Sequence, residues 1–295
     1  MIAKEVGVHK STITRELRRN ESGQRTYNPN RAYRMACERH KEKRKYRIDC
    51  KTWATVEKLL GLEWSPEQIS MRLKLEGLRV VSHQTIYWHI YTDRKKGGKL
   101  YRFLRRRHRY RKPIHKYCSR KGWDTRRPIS DRPAVVETRS RLGDWEADTI
   151  IGHEKKGGIL SLVERRSRYC LLQKIPTKSP QTVAEALCNS LLPIKDKVLT
   201  ITSDNGFEFR HHQTIATRLD ADFFFADPYS SWQRGTNENT NGLVRQYFPK
   251  KSDFSPLSND DIHHVADRLN NRPRKVLNFR TPYEVFNNLF VALIV

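Results

Sequence analysis

The stretch 144-DWEADTIIG-152 carries a carboxylate at every second position, Asp144, Glu146 and Asp148, with Trp145 and Ala147 between them. A period of two is the pattern of a β-strand, and it turns all three acids to one face. Like charges in a row on a buried face are costly unless a cation compensates them. Spacing leaves open which of the three ligates such a cation. Asp148, leading straight into Thr149, Ile150 and Ile151, lies nearest the apolar centre of the strand and is the strongest candidate.

Downstream, 158-GILSLVERRSRYCLLQKIP-176 reads as a hairpin turning at 165–167. A helix is expected over 179–194, with Ser179 as its cap and Pro180 following. An apolar strand at 197–204, a helix across 208–219, a short strand at 222–227 and a helix from about Gly235 complete the pattern. The order β-β-β-α-β-α-β-α predicts an α/β core of ribonuclease-H-like type.

Two further carboxylates stand in polar settings within this core. Asp204 ends the strand carrying Val198, Leu199 and Ile201, and Asn205-Gly206 turns the chain away. A carboxylate there projects into the crevice where α/β folds do chemistry, although an Asx turn or a helix cap accounts for it equally well. Glu238 opens an Asn-rich helical segment, 236-TNENTNG-242, with Asn241 and Arg245 on its face at i+3 and i+7. Glu in the first turn also suits the helix dipole. Phe223, Phe224 and Phe225 in the preceding strand suggest that this helix packs close to the sheet. Carboxylates from two strands and one helix suit two divalent ions about 3.5–4 Å apart. One ion would activate a water or a DNA 3′-hydroxyl, and the other would stabilise the leaving 3′-oxygen. Hard oxygen donors select Mg²⁺, with Mn²⁺ as its substitute.

The charge map explains why so basic a chain keeps such a centre. The net charge is +26; residues 1–140 hold 37 Lys and Arg against 14 Asp and Glu, and residues 141–295 hold 21 against 18. A basic front half and a near-neutral back half suggest double-stranded DNA as partner. Residues 2–20, IAKEVGVHKSTITRELRRN, read as two short helices about Gly7. Ala3, Val6, Val8 and Ile13 are the packing positions of a helix-turn-helix. Ser11, Thr12, Thr14 and Arg15 then face the major groove, with Arg18 and Arg19 near phosphates. The helix that normally supports such a pair would precede Met1, so the chain is expected to start late. In 64-WSPEQISMRLKLEGLRVVSHQTIYWHIY-91, Ser65, Pro66 and Gln68 form a capping box, and Ser82 caps a second helix. That pair is either a second helix-turn-helix or a helical spacer. The basic run 94–132 interleaves Tyr101, Phe103, Tyr110, Tyr117 and Trp123 and is expected to be ordered by nucleic acid.

Nothing here spans a bilayer. The final 289-LFVALIV-295 is expected to be a packed helix or strand. Five cysteines without a CxxC pair favour reduced thiols in a cytoplasm. A zinc site from Cys37, His40 and Cys50 lacks a fourth ligand.

The segments 141-RLGDWEADTIIG-152, 202-TSDNGFEF-209 and 227-DPYSSWQRGTNENTNGLVRQYFPK-250 closely resemble the core of DDE insertion-sequence transposases of the insertion-sequence-thirty family. The 33 residues between Asp204 and Glu238 suit that family. So do the N-terminal helices, the WSPEQI segment and 269-LNNRPRKVLNFRTPYEVF-286, the last shared with retroviral-type integrases. The resemblance implies a retroviral-integrase-type catalytic core behind an all-α helix-turn-helix region. It implies Asp148, Asp204 and Glu238 as metal-binding catalytic triad, supported by Trp145, Glu146, Asn205, Gly206, Asn237 and Asn241. Arg245 is implied as a contact to DNA phosphate. The activity implied is recognition of terminal inverted repeats, then cleavage and strand transfer into target DNA by a homo-oligomer. A metal-dependent nuclease without strand transfer, or a catalytically silent DNA-binding regulator, are the alternatives. The expected division is 1–48 helix-turn-helix, 49–93 second helical region, 94–138 basic linker, 139–250 catalytic core and 251–295 helical extension.

Overall fold

The computed structural model describes residues 1–20, 27–42, 48–105, 125–155, 157–228 and 230–293. About half of the basic run, with Tyr110, Tyr117 and Trp123, lies outside the described residues. The chain divides into two compact units, Met1–Cys50 and Lys51–Val295. Among the described residues no helix is long and apolar enough to cross a membrane.

The first unit holds α1 (Ile2–Glu5), α2 (Lys10–Arg19) and α3 (Pro29–Glu42). His9 caps α2 by accepting from the Ser11 amide, and Gly7 makes the intervening turn at φ +70°. No side chain of α1 or α2 is buried. Polar contacts tie α2 to α3 instead: Arg39 donates to Asn20 Oδ1 at 3.0 Å and to the Arg19 carbonyl at 3.4 Å.

The second unit begins with α4 (Cys50–Gly61), α5 (Pro66–Leu75) and α6 (His83–Lys95). The capping box of Ser65 and Gln68 forms as expected, and Ser82 caps α6. Ile69, Leu73, Ile86 and Ile90 are buried at helical spacing. After the short α7 (Val135–Thr138) comes a five-stranded sheet of β1 (Asp144–Ile151), β2 (Gly158–Glu164), β3 (Cys170–Ile175), β4 (Thr200–Ser203) and β5 (Asp222–Phe225). Its order is β3-β2-β1-β4-β5. The first three strands run antiparallel, and β4 and β5 add in parallel, with Glu146 opposite Thr202. The molecule is thus a mixed α/β fold. Gly143, at φ +108°, turns into β1, and its carbonyl accepts from the Leu199 and Thr200 amides. A Cβ there would sit 2.8 Å from the Leu199 side chain, so the close approach requires glycine.

The alternation of β1 divides two cores. Trp145 and Ala147 pack with Leu160, Leu162 and Ile201 beneath α8 (Pro180–Leu191) and α9 (His212–Leu219). Ile150, Ile159 and Val163 pack with α10 (Gly235–Val244) and α11 (Asn259–Asn270) on the opposite face. Each such fully buried aliphatic or aromatic side chain contributes about 1.5–3 kcal/mol. Phe223 and Phe225 belong to the first core, whereas α10 buries Leu243 and Val244 in the second. The helix α10 does pack close to the sheet, as expected, but over β1 and β2 and on the face opposite Phe223 and Phe225.

Two other expectations change. The strand before Asp204 is only Thr200–Ser203, because a 3₁₀ segment, Leu192–Lys197, takes up the chain before it. Residues 289–293 form neither helix nor strand, and Leu289, Phe290 and Val291 are exposed. Backbone bonds pin this tail: the Val291 amide donates to Glu284 and the Leu293 amide to Glu76. Glu284 belongs to α12 (Pro282–Phe286), where it completes a capping box with Thr281 and pairs with buried Arg72 at 2.6 Å.

Candidate active site

The three acids of β1 do face one side, but each has its own partners. Asp144 accepts from Arg141 at 3.0 and 3.1 Å and from Thr200 Oγ1 at 2.8 Å. Glu146, fully buried, accepts from Arg165 Nη1 at 2.9 Å and from the Asn237 amide at 2.8 Å. Separate arginines, Arg141 and Arg165, therefore balance the first two acids of the row. Successive same-face residues stand about 6.6–6.8 Å apart along a strand, which gives each carboxylate room for its own guanidinium.

Asp148 is the acid that meets a second carboxylate. Asp204 follows β4 immediately, and in the parallel register of β1 with β4 it falls level with mid-strand Asp148, just past the last paired residues Glu146 and Thr202. Arg234 spans them, with Nη1 3.6 Å from Asp148 Oδ2 and Nη2 3.5 Å from Asp204 Oδ2. Asp148 also accepts from the Thr149 amide and from Asn241 Nδ2, each at 2.8 Å. Burial pushes its carboxyl up to about 6; Arg234 opposes the shift, while the charges of Asp204 and Glu208 add to it.

The turn after Asp204 is tightly fixed. The Gly206 amide donates to Asp204 Oδ1 at 3.0 Å, and Asn205 Nδ2 donates to the Ala226 carbonyl at 2.6 Å. Arg126 donates to Asn205 Oδ1. A Cβ on Gly206 would fall 2.4 Å from the carboxylate of Glu208, a buried acid that accepts from Thr149 Oγ1 and pairs with Lys178 at 2.6 Å.

The polar face of α10 is laid along β1. Asn237 is fully buried, its amide bonded to Glu146 and its side chain to the Glu146 carbonyl and to Ser161. Arg245 turns inward: Nη2 donates to the Ile151 carbonyl at 2.9 Å, and the guanidinium lies over the Phe254 ring. Glu238 stands on the stripe of Arg234, Asn241 and Arg245 but is exposed. No group of three His, Cys, Asp or Glu side chains among the described residues is gathered closely enough to hold a metal ion. Asp148 and Asp204 converge, and Glu238 remains outside the pair. Asn241 Oδ1 is buried without a hydrogen-bond partner. An orphaned oxygen beside two converging carboxylates fits a hard divalent cation and its water, and suits a soft metal poorly.

No protein-family model matches the chain. Curated relatives do. The transposase for insertion sequence element IS4351 of Bacteroides fragilis is 43% identical over 98% of this chain and 89% of its own length. The transposase for IS1086 of Cupriavidus metallidurans is 38% identical, over 96% of this chain and 87% of its own. Transposase InsI of IS30A from Escherichia coli is 36% identical, over 93% and 75% respectively. The chain belongs to the IS30 family of insertion-sequence transposases. It is an enzyme of the DDE polynucleotidyl transferase type. Among solved structures, the catalytic core domain of BIV integrase has a TM-score of 0.38 and 21% identity, over 50% of this chain and 95% of that one.

Sequence reading missed three residues that shape the site of this transposase. Arg234 lies one helical turn before Glu238, a spacing that was legible. Glu208 lies two residues after Gly206 and reads as an ordinary helix start. Arg165, a turn residue by sequence, reaches back to Glu146, a pairing that only the hairpin's register creates.

In the transposase's first unit, Thr12, Thr14, Arg15, Arg18 and Arg19 are exposed and Ser11 half-exposed. Thr14 Oγ1 bonds back to the Lys10 carbonyl, and Arg15 donates to Ser11 Oγ at 3.4 Å.

Proposed function

We propose that Asp148, Asp204 and Glu238 are the catalytic metal ligands of this transposase. The convergence of Asp148 and Asp204 on one guanidinium, with the orphaned Asn241 oxygen beside them, carries this reading. The antiparallel β1–β2–β3 meander followed by parallel β4 and β5 supports a ribonuclease-H-like core. Magnesium, or manganese in its place, would supply electrophilic stabilisation of the charge developing at phosphorus and on the leaving 3′-oxygen.

The chain's own residues hold the ligands for that task. Asn241 and the Thr149 amide each bond one oxygen of Asp148 and fix its rotamer, leaving the remaining lone pairs for a cation. The Gly206 amide does the same for Asp204. Glu146 and Asn237 anchor the start of α10, the helix that carries Glu238. Trp145 locks β1 from behind, its indole N–H donating to the Lys197 carbonyl at 2.8 Å.

The exposed residues of α2 are proposed to read the inverted repeats, Ser11, Thr12, Thr14 and Arg15 at base edges and Arg18 and Arg19 at phosphates. Two element ends must be handled together, so the working complex is expected to be a homo-oligomer.

The test is incubation with a labelled inverted-repeat fragment, target DNA and Mg²⁺. Wild type is expected to give joined products, and Asp204→Asn neither nicked nor joined ones. Nicks without joints identify a nuclease, and undiminished products from Asp204→Asn refute the assignment.

A further inference from the structure

Arg234 has an unusual place. It ends the 3₁₀ turn Ser231–Arg234, immediately before α10, and its side chain is only 14% exposed. Its Nη1 donates to the Ala147 carbonyl at 3.4 Å. Its two carboxylate contacts, at 3.5 and 3.6 Å, are longer than charge-assisted hydrogen bonds, which run about 2.7–2.9 Å. The guanidinium is therefore held between Asp148 and Asp204 by charge, without directed bonds to either. Among the described residues, Lys178 is committed to Glu208, Arg245 to the Ile151 carbonyl and Arg126 to Asn205 Oδ1.

We propose that Arg234 is a built-in counter-cation that competes with the divalent ion for Asp148 and Asp204. This rests on the reading that these two acids are metal ligands. The arginine holds both carboxylates converged before metal arrives, and it yields because its contacts are loose. Divalent ions bind carboxylate oxygens far more closely than the guanidinium does here. Both oxygens it faces are Oδ2 atoms, for which a cation bound by the pair would compete. Arg234 is thus a positioning residue: it sets the threshold for metal loading and takes no part in bond cleavage.

Removing it should tighten metal binding, the reverse of what loss of a structural residue does. The experiment is a Mn²⁺ titration of the full chain without DNA, followed by the paramagnetic resonance of free Mn²⁺. The proteins compared are wild type, Arg234→Ala, Arg234→Gln and Asp204→Asn. Two part-exposed charge contacts together set the scale, so both Arg234 variants are expected to bind Mn²⁺ about tenfold more tightly than wild type. Both should melt lower than wild type in chelator and regain more on adding Mn²⁺. Should Arg234→Ala fail to fold, Arg234→Gln, which retains a donor for the Ala147 carbonyl, gives the result alone. Variants that bind no more tightly than wild type, while Asp204→Asn loses binding, overturn the proposal and leave the metal-site reading standing. Unchanged binding in Asp204→Asn overturns both.

Discussion

Glu146→Gln separates a structural from a ligating role for the middle acid of β1. The substitution keeps the shape and removes the charge. Glu146 is fully buried between two donors, Arg165 Nη1 and the Asn237 amide. An amide side chain meets them with one acceptor and one NH₂, so one donor faces another. Arg165, whose side chain is 2% exposed, then keeps only Glu137 at 3.1 Å and the Gln233 carbonyl at 3.2 Å. Breaking a buried pair costs about 3–5 kcal/mol, and the partial compensation by Glu137 lowers this to about 2–4 kcal/mol. For a domain of this size that is a fall in Tm of about 5–12 °C. The assay is calorimetric unfolding in chelator, alongside Mn²⁺ titration. The variant should melt lower, bind Mn²⁺ with little change in intrinsic affinity, and cleave poorly because the start of α10 is loosened. Were Glu146 a metal ligand, neutralising it would relieve repulsion, so Tm in chelator would hold or rise while Mn²⁺ affinity collapsed. That outcome refutes the reasoning.

Three other outcomes are expected. Burial, reinforced by Asp204 and Glu208 and opposed by Arg234, raises the Asp148 carboxyl from 3.8 to about 6. A raised carboxyl favours the protonated fold, so this group withdraws up to about 3 kcal/mol of stability as pH climbs from about 4 through about 6. Carboxyl NMR of the metal-free protein should show that midpoint, and Mg²⁺ should lower it; a midpoint near 4 without metal contradicts the burial described. Although burial opposes it, bonding to Arg72 and to the Thr281 and Val291 amides lowers Glu284 from 4.5 to about 2. Its contribution is full above about 4.5 and is lost as pH falls toward 2. Arg72→Met should cost about 3–5 kcal/mol and move acid unfolding to higher pH, and an unchanged acid midpoint would show the pair to be inert. The double variant Arg18→Ala, Arg19→Ala should reduce the salt slope of DNA binding by about 1.8, and an unchanged slope removes α2 from the interface.

Local pattern made the sheet legible. The period of two in β1, the hairpin turn at 165–167 and the Ser-Pro start of α8 each act within a few residues, and the order of elements along the chain followed from them. The charge partners were not legible, because Arg165 reaches Glu146 and Arg234 reaches Asp148 only after the sheet and α10 are in place. The same holds for the side of the sheet that α10 covers: Phe223 and Phe225 signal burial, but nothing in three phenylalanines says beneath which helices. The terminal 289–293 segment looked like a packed element because it is apolar. The structure instead tethers it through main-chain groups to Glu76 and Glu284, which no hydropathy pattern encodes.

The short parallel bridge between Pro128 and Phe225 has a consequence for self-association. Where the chain leaves the basic run it lies against the margin of β5, and the Phe225 amide donates to the Arg127 carbonyl at 2.9 Å. Proline has no amide hydrogen, so the added ribbon has one donor fewer to present on its outer side. Another copy's strand finds no regular ladder to extend at that point, which guards the border nearest Asp204 against amyloid-like stacking.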